Sequence, residues 1–278
     1  MRTIVVFIVT GVMLAAFAAG CGRNAEHYTK RGNEYLRKGE VDKAIEQFQK
    51  GVQAEPDNPE AQNALGTALS IRGDFATAIE HFRRAIVLKD DFIEGHYNLG
   101  RALTETGDLM GALAEYQKIN EIDSSYALAY LSEGGVFLRL GQPDKAIQVY
   151  QRALQFDPTL TQVYLNLAAA YVNAKNYTEA IRILQEARTE NPRNAEISAM
   201  SGRIAILNKD LPLAISFLQD ATKLNPQNPV SKNDLATALM LAGRKQEAIS
   251  LWEEILAMKP DPSLEQVVRQ NLAKAATQ

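Results

Sequence analysis

The chain holds one cysteine in 278 residues, Cys21, so no disulfide can form within it and no thiolate cluster can hold a metal. Histidine is nearly as scarce. His27, His81 and His96 are the full set, and none belongs to a His-Glu-x-x-His pair. There is no glycine-rich loop of the kind that cradles phosphate and no serine in a nucleophile elbow. An excess of either charge is missing too: 30 Lys and Arg against 33 Asp and Glu leave a net charge of -3, without the basic footprint of a nucleic-acid binder. These absences point to a protein that is not an enzyme, carries no metal or cofactor and binds no nucleic acid. What remains, 46% apolar and 23% charged, is a foldable composition, and the length alone suggests about two domains.

The N-terminus carries an address. One positive charge, Arg2, precedes an apolar stretch from Ile4 to Ala19 interrupted only by Thr10 and Gly11. The stretch closes on Ala18-Ala19-Gly20, side chains small enough to lie beside a signal-peptidase cut, and the next residue is Cys21. This run resembles the lipobox of bacterial lipoproteins, with Ala18 where leucine is commonest. The resemblance implies a signal peptide over 1–20, a diacylglyceryl-modified Cys21 and a short linker over 21–24. Sixteen mostly apolar residues also fall short of the roughly twenty that span a bilayer, which weighs against an uncleaved anchor. The expected place is the bacterial envelope, facing the periplasm. Gly22, where an aspartate would retain a lipoprotein at the inner membrane of enteric bacteria, favours the outer membrane over the inner.

Alanine recurs at 44, 78, 112, 146, 180, 214 and 248, every 34 residues. Twelve places before each stands a small residue, Gly32, Gly66, Gly100, Gly134, Ala168, Gly202 and Ala236. Four places after each stands a bulky one: Phe48, Phe82, Tyr116, Tyr150, Leu184, Leu218 and Trp252. Prolines at 56, 158, 192, 226 and 260 close five of the seven units, where the ring should stop the second helix. Each unit reads as two helices with apolar residues three and four apart, joined at a turn such as Gly73. The fifth and sixth units lack that glycine, and Asn176 is expected to supply the left-handed turn in the fifth.

This pattern resembles the tetratricopeptide repeat over residues 25 to 262. The resemblance implies an all-α fold: a right-handed superhelical solenoid of about seven hairpins (25–58, 59–92, 93–126, 127–160, 161–194, 195–228, 229–262). A C-terminal capping helix follows over 263–278, with Ser263 and Gln266 at capping-box spacing and Leu264, Val267, Val268 and Leu272 as its apolar stripe.

In this family the first helices of the hairpins line the concave surface. The resemblance therefore implies a partner-binding groove, here at Tyr97, Asn98, Arg101, Leu131, Leu138, Leu165, Asn166, Val172 and Arg203. Its early part is polar, with Asn33, Arg37, Asn63 and Thr67. Its later part carries leucines among arginines, and such a strip suits a protein partner. Packing against the next hairpin is the competing explanation for any one of those leucines. A carboxylate clamp is excluded by Glu94 and Asn98 in the third unit. The reading is a non-catalytic, membrane-anchored scaffold for a protein or peptide ligand. Among exported lipoproteins built of these repeats it looks most like the pilotin class, which serves type IV pilus or secretion assembly. Adaptors for peptidoglycan hydrolases or proteases and exopolysaccharide-export components share the layout, and a hydrolase with an unrecognised site is the reading from another class.

Overall fold

The computed structural model describes residues 25–277. Among them are fifteen α-helices and no strand: α1 (residues 25–37), α2 (Val41–Ala54), α3 (Pro59–Arg72), α4 (Phe75–Leu88), α5 (Ile93–Thr106), α6 (Leu109–Ile122), α7 (Ala127–Arg139), α8 (Pro143–Phe156), α9 (Thr161–Asn173), α10 (Tyr177–Glu190), α11 (Ala195–Leu207), α12 (Leu211–Leu224), α13 (Pro229–Leu241), α14 (Lys245–Ala257) and α15 (Pro262–Thr277). By packing, the described chain divides into two compact units, 25–136 and 137–277, with the boundary inside α7. In the first unit each helix from α2 to α6 packs on the next, and α3 also lies beside α5. In the second the same succession runs from α8 to α15, and the first helices of successive hairpins, α9, α11 and α13, lie side by side.

Local chemistry sets where these helices begin and end. Asp74, Asp108, Asn176 and Asp210 precede second helices and accept a backbone N–H two or three residues on, and Asn58, Asn194 and Asn228 do the same for first helices. Each such cap contributes about 1 kcal/mol. Between the two helices of a hairpin one residue takes a left-handed conformation, as at Gly73 (φ 90°) and Gly107 (φ 89°). In the fifth and sixth hairpins that residue is a lysine, Lys175 (φ 59°) and Lys209 (φ 61°), at a cost of about 1–2 kcal/mol each. Asn176 is therefore not the left-handed residue expected from its chemistry. Its side chain accepts the Glu179 N–H, a bond that needs the residue outside the left-handed region.

Proline is not what stops the second helices. The first six end at Ala54, Leu88, Ile122, Phe156, Glu190 and Leu224, still at 34-residue intervals, although no proline follows Leu88 or Ile122, and the seventh ends one residue short of that register, at Ala257. Lys89 and Asp123 adopt the same extended cap as Asp157, which precedes Pro158. The Asp123 carboxylate holds its turn by accepting the Ser125 N–H (2.9 Å) and hydroxyl (2.6 Å). The terminal helix starts earlier than its Ser263–Gln266 spacing suggests: Asp261 is the cap, accepting from Ser263 and Leu264 N–H. Its buried residues are Val268 and Ala275, while Val267 faces out.

The core repeats one contact. All seven recurring alanines are fully buried, and the bulky residues four places on are at most 2% exposed. The small residue of the first helix faces the bulky residue of the second. A Cβ added to Gly66 would stand 2.7 Å from the Phe82 ring, one on Gly100 2.7 Å from the Tyr116 ring, and Gly32 and Gly202 meet Phe48 and Leu218 in the same way.

Gly66→Ala sets two effects against each other. Helix propensity favours alanine by about 1 kcal/mol, whereas overpacking costs about 1–3 kcal/mol. A ring within 3 Å leaves the clash dominant, so the variant should unfold at lower denaturant. Adding Phe82→Leu recreates the Ala168–Leu184 pairing of the fifth hairpin, and the two changes should cost less together than their sum. Denaturant midpoints of the four proteins in the cycle check both statements, and strict additivity would refute this contact.

Candidate functional site

The face of the first helices is built from positions that the hairpin core leaves free. In the unit of residues 25–136 it is polar. Asn98 Nδ2 on α5 donates to Asn63 Oδ1 on α3 (3.0 Å) and to Thr67 Oγ1 (3.4 Å), so successive hairpins are tied by side-chain amides while the Asn98 carbonyl oxygen stays available. Beside this pair lies a cavity of about 220 Å³ between α3, α4 and α5. Phe75, Phe82, Ile71 and Ala102 form its apolar wall, and Thr67, Asn98, Arg101 and Glu105 its polar one. Arg101 is exposed and has no ion-pair partner among the described residues. Tyr97 and Leu131 do not line this cavity. Tyr97 packs edge-on against Tyr126 (6.2 Å between centroids) and accepts a long hydrogen bond from Ser132 (3.5 Å), and Leu131 is half-buried on α7.

The expected residues of the unit 137–277 fare differently. Leu165 is 5% exposed and belongs to the core, so it offers no surface to a ligand. Arg203 already donates to Asp234 Oδ2 on α13 at 3.1 Å. Burial raises the Asp234 pKa and Arg203 only partly offsets it, so the guanidinium is the charge that this half-buried carboxylate needs. Asn166 accepts from Gln162 Nε2 at 2.9 Å. Leu138 and Val172 are half-buried. Cys21 lies outside the described residues.

One polar position recurs inside the hairpins. Gln62, His96 and Tyr130 stand 34 residues apart on first helices, and each donates to the carbonyl six residues earlier: Gln62 Nε2 to Pro56 (2.8 Å), His96 Nε2 to Asp90 (3.1 Å) and the Tyr130 hydroxyl to Ser124 (3.1 Å). Three unrelated side chains thus pin the same turn. Gln62 turns its oxygen to His81 Nδ1 (2.7 Å), which must then carry the proton, and burial lowers the His81 pKa and keeps that ring neutral. His96 faces acceptors on both sides, the Asp90 carbonyl and Glu115 Oε2 at 2.6 Å, which only the doubly protonated ring can satisfy. Burial pushes its pKa down, but Glu115 and the Asp90 carbonyl outweigh that, and the net direction is up. All three histidines are accounted for without a ligand, since His27 is exposed and stacks edge-on with Tyr28. No group of three or more His, Cys, Asp or Glu able to hold a metal occurs among the described residues. No helix described is long and apolar enough to cross a membrane.

Family models described as tetratricopeptide repeat match residues 29–91, 97–160, 137–204 and 205–270. The chain is a tetratricopeptide-repeat protein. No curated protein matches it. Among solved structures, the repeat chain is similar to MamA (27% identity over 63% of this chain and 96% of that one, TM-score 0.56). It shares the fold of Pseudomonas aeruginosa pilF (20% identity, 74% and 94% covered, TM-score 0.61). The same holds for YrrB, a repeat protein with an unusual peptide-binding site (22% identity, 69% and 99% covered, TM-score 0.54). In this repeat protein the cavity residues that the sequence did not flag are Ser70, Ile71, Phe75, Ala102 and Glu105. Ile71 sits at a helix end, exposed at 57%, where helical periodicity makes no demand.

The raised His96 pKa makes stability depend on pH with a definite sign. The native state holds the proton more tightly than the unfolded chain, so this contribution is complete below about pH 6.5 and is lost as pH rises through the folded value. His96→Gln installs the side chain already used at position 62 and should remove that decline. Denaturant midpoints of both proteins measured from pH 6 to pH 9 decide it, and parallel curves would show that His96 does not carry the proton.

Proposed function

We propose that this repeat protein is a non-catalytic scaffold, held at a membrane of the bacterial envelope through lipid on Cys21. It binds a peptide segment of a partner protein on the first-helix face of residues 25–136. The observation that carries the reading is the cavity beside the Asn63–Asn98 pair. An apolar wall there receives one ligand side chain, the free Asn98 oxygen accepts a backbone N–H, and the unpaired Arg101 guanidinium meets a carbonyl or carboxylate. Membership of a repeat family that serves as interaction scaffolds supports a binding role over catalysis. For the pathway we favour assembly of a type IV pilus or secretion complex at the outer membrane, on the layout of a lipobox-like leader followed directly by repeats.

Two experiments test this. Partners recovered from detergent-solubilised envelope should be lost with Asn98→Ala/Arg101→Ala, by about tenfold or more in affinity, since hydrogen bonds to a charged group are worth about 1.5–3 kcal/mol. Circular dichroism should stay unchanged. Equal recovery by the double variant would remove the cavity from the binding surface. Cys21→Ser should release the protein from the membrane fraction while its repeats unfold at the same midpoint. Equal incorporation of labelled palmitate into both proteins would rule out Cys21 as the lipid site.

A further inference from the structure

We infer that the repeat array has one breakable joint in its interior, the seam where α7 meets α6. Asn120 late in α6 and Glu133 midway along α7 are hydrogen-bonded across this seam. At the same two places the first two seams carry Val52 with Leu65 and Ile86 with Leu99, and the seam after the fourth hairpin carries Leu154 with Leu167. The three first-helix leucines are buried. Glu133 is buried as well, 5% exposed, and its carboxylate accepts from Asn120 Nδ2 (3.2 Å) and Gln117 Nε2 (3.3 Å), both on α6. The Asn120 carbonyl oxygen is buried without a donor. Bonds from neutral amides only partly offset the hydration that a carboxylate loses on burial, so this pair holds two helices together less firmly than the apolar pairs at the same register.

The helix itself adds to the weakness. Gly134 and Gly135, inside α7, are the only adjoining glycines in the chain. Gly134 holds the small-residue place of the hairpin crossing. Gly135 answers no such need, since Thr67, Arg101, Ala169, Arg203 and Thr237 stand at its register in other hairpins. Glycine in a helix interior has the most backbone freedom to regain on unfolding, so α7 opens more readily than a helix with a side chain there. One other seam is polar, at Arg188 and Ser201, but it buries no charge. Ser201 donates to the Ile197 carbonyl within its own helix (2.8 Å), and the partly exposed Arg188 pairs with Asp220 (2.8 Å) and lies over the Phe217 ring. Packing and backbone thus weaken one helix, α7, by separate means, and the division between the compact units falls in the same helix. In an array whose hairpins touch only their neighbours, the weakest interface is where an interior opening begins. The cavity between α3, α4 and α5 lies outside that opening, so the scaffold can yield at α7 and keep its binding surface.

Amide hydrogen exchange of the full chain, read helix by helix by mass spectrometry, tests the joint. Amides of α7 should exchange about tenfold or more faster than those at the same register in α5 and α9, a maximum inside the array in addition to any fraying at its ends. Asn120→Ile/Glu133→Leu installs the pair of the preceding seam and should bring α7 to within about threefold of α5, while exchange in α11 and α13 stays as it was. Gly135→Ala leaves the seam alone and should slow α7 as well, so it decides the matter even where the double variant folds poorly. Equal protection of α5, α7 and α9 in the wild type overturns the joint. Fast exchange in α7 that neither the double variant nor Gly135→Ala slows overturns its assignment to the polar seam and the glycine pair.

Discussion

A ring edge seated against a helix with no side chain in the way is the contact on which the rest of this structure depends. Gly66 against Phe82 and Gly100 against Tyr116 leave no room for a methyl group between the two helices of a hairpin. Close approach then brings the recurring alanine, always fully buried, under the same crossing. The contact is not confined to rings, since Gly202 meets Leu218 in the same way. The crossing fixes where each helix must start and stop to keep it, and this is why the second helices end at the same register with or without proline. Proline and the Asp123–Ser125 turn are two ways of meeting one requirement imposed by packing.

The polar parts of the interior obey the same logic. In the second, third and fourth hairpins the turn before the first helix leaves a carbonyl for a side chain to satisfy, and a buried carbonyl without a donor is costly. Glutamine, histidine and tyrosine at positions 62, 96 and 130 all reach it, so the requirement is for a donor at a given distance and not for a particular residue. Histidine meets it with a consequence the others lack. Its second nitrogen must also face something, and Glu115 supplies the acceptor that holds the ring charged inside the hairpin. Lys232, at the same register in the last hairpin, is likewise a buried cation paired with a carboxylate, Glu254.

Periodicity made the fold legible, because seven copies of a volume pattern cannot arise from anything but a repeated contact. The all-α repeat architecture, the buried alanines and the core role of Trp252, which donates to Asn233, all follow from it. Three kinds of detail were not legible. Single-residue turn chemistry depends on which of two adjacent residues caps and which bends: Asn176 and Lys175 exchanged roles because a capping bond outweighs intrinsic tolerance for the left-handed region. Pairing across hairpins is invisible in one hairpin's pattern, so Arg203 read as a free charge although Asp234, 31 residues on, engages it. Burial of a leucine at a nominally open position depends on the neighbouring hairpin's side chains, and Leu165 went to the core while Leu131 stayed half out. Residues at helix ends, such as Ile71 and Leu207, are exposed, so the pattern of buried positions does not mark them.

A repeat array separates stability from recognition more cleanly than a globular core does. Each hairpin contacts only its neighbours, so a substitution at a position the crossing does not use is felt locally and leaves the other hairpins unchanged. The register itself identifies such positions: where one hairpin manages with serine and another with threonine, an aliphatic residue in a third cannot be explained by the shared core. By that comparison the first unit gathers amides and a guanidinium around a small cavity, and an exposed aliphatic residue recurs at one register in both units, at Ile71, Leu207 and Leu241. Turn conformations vary in the same local way: glycine serves at Gly73, Gly107 and Gly243 without strain, whereas lysine at 175, 209 and 259 bears a cost of about 1–2 kcal/mol each that the packing of its own hairpin absorbs.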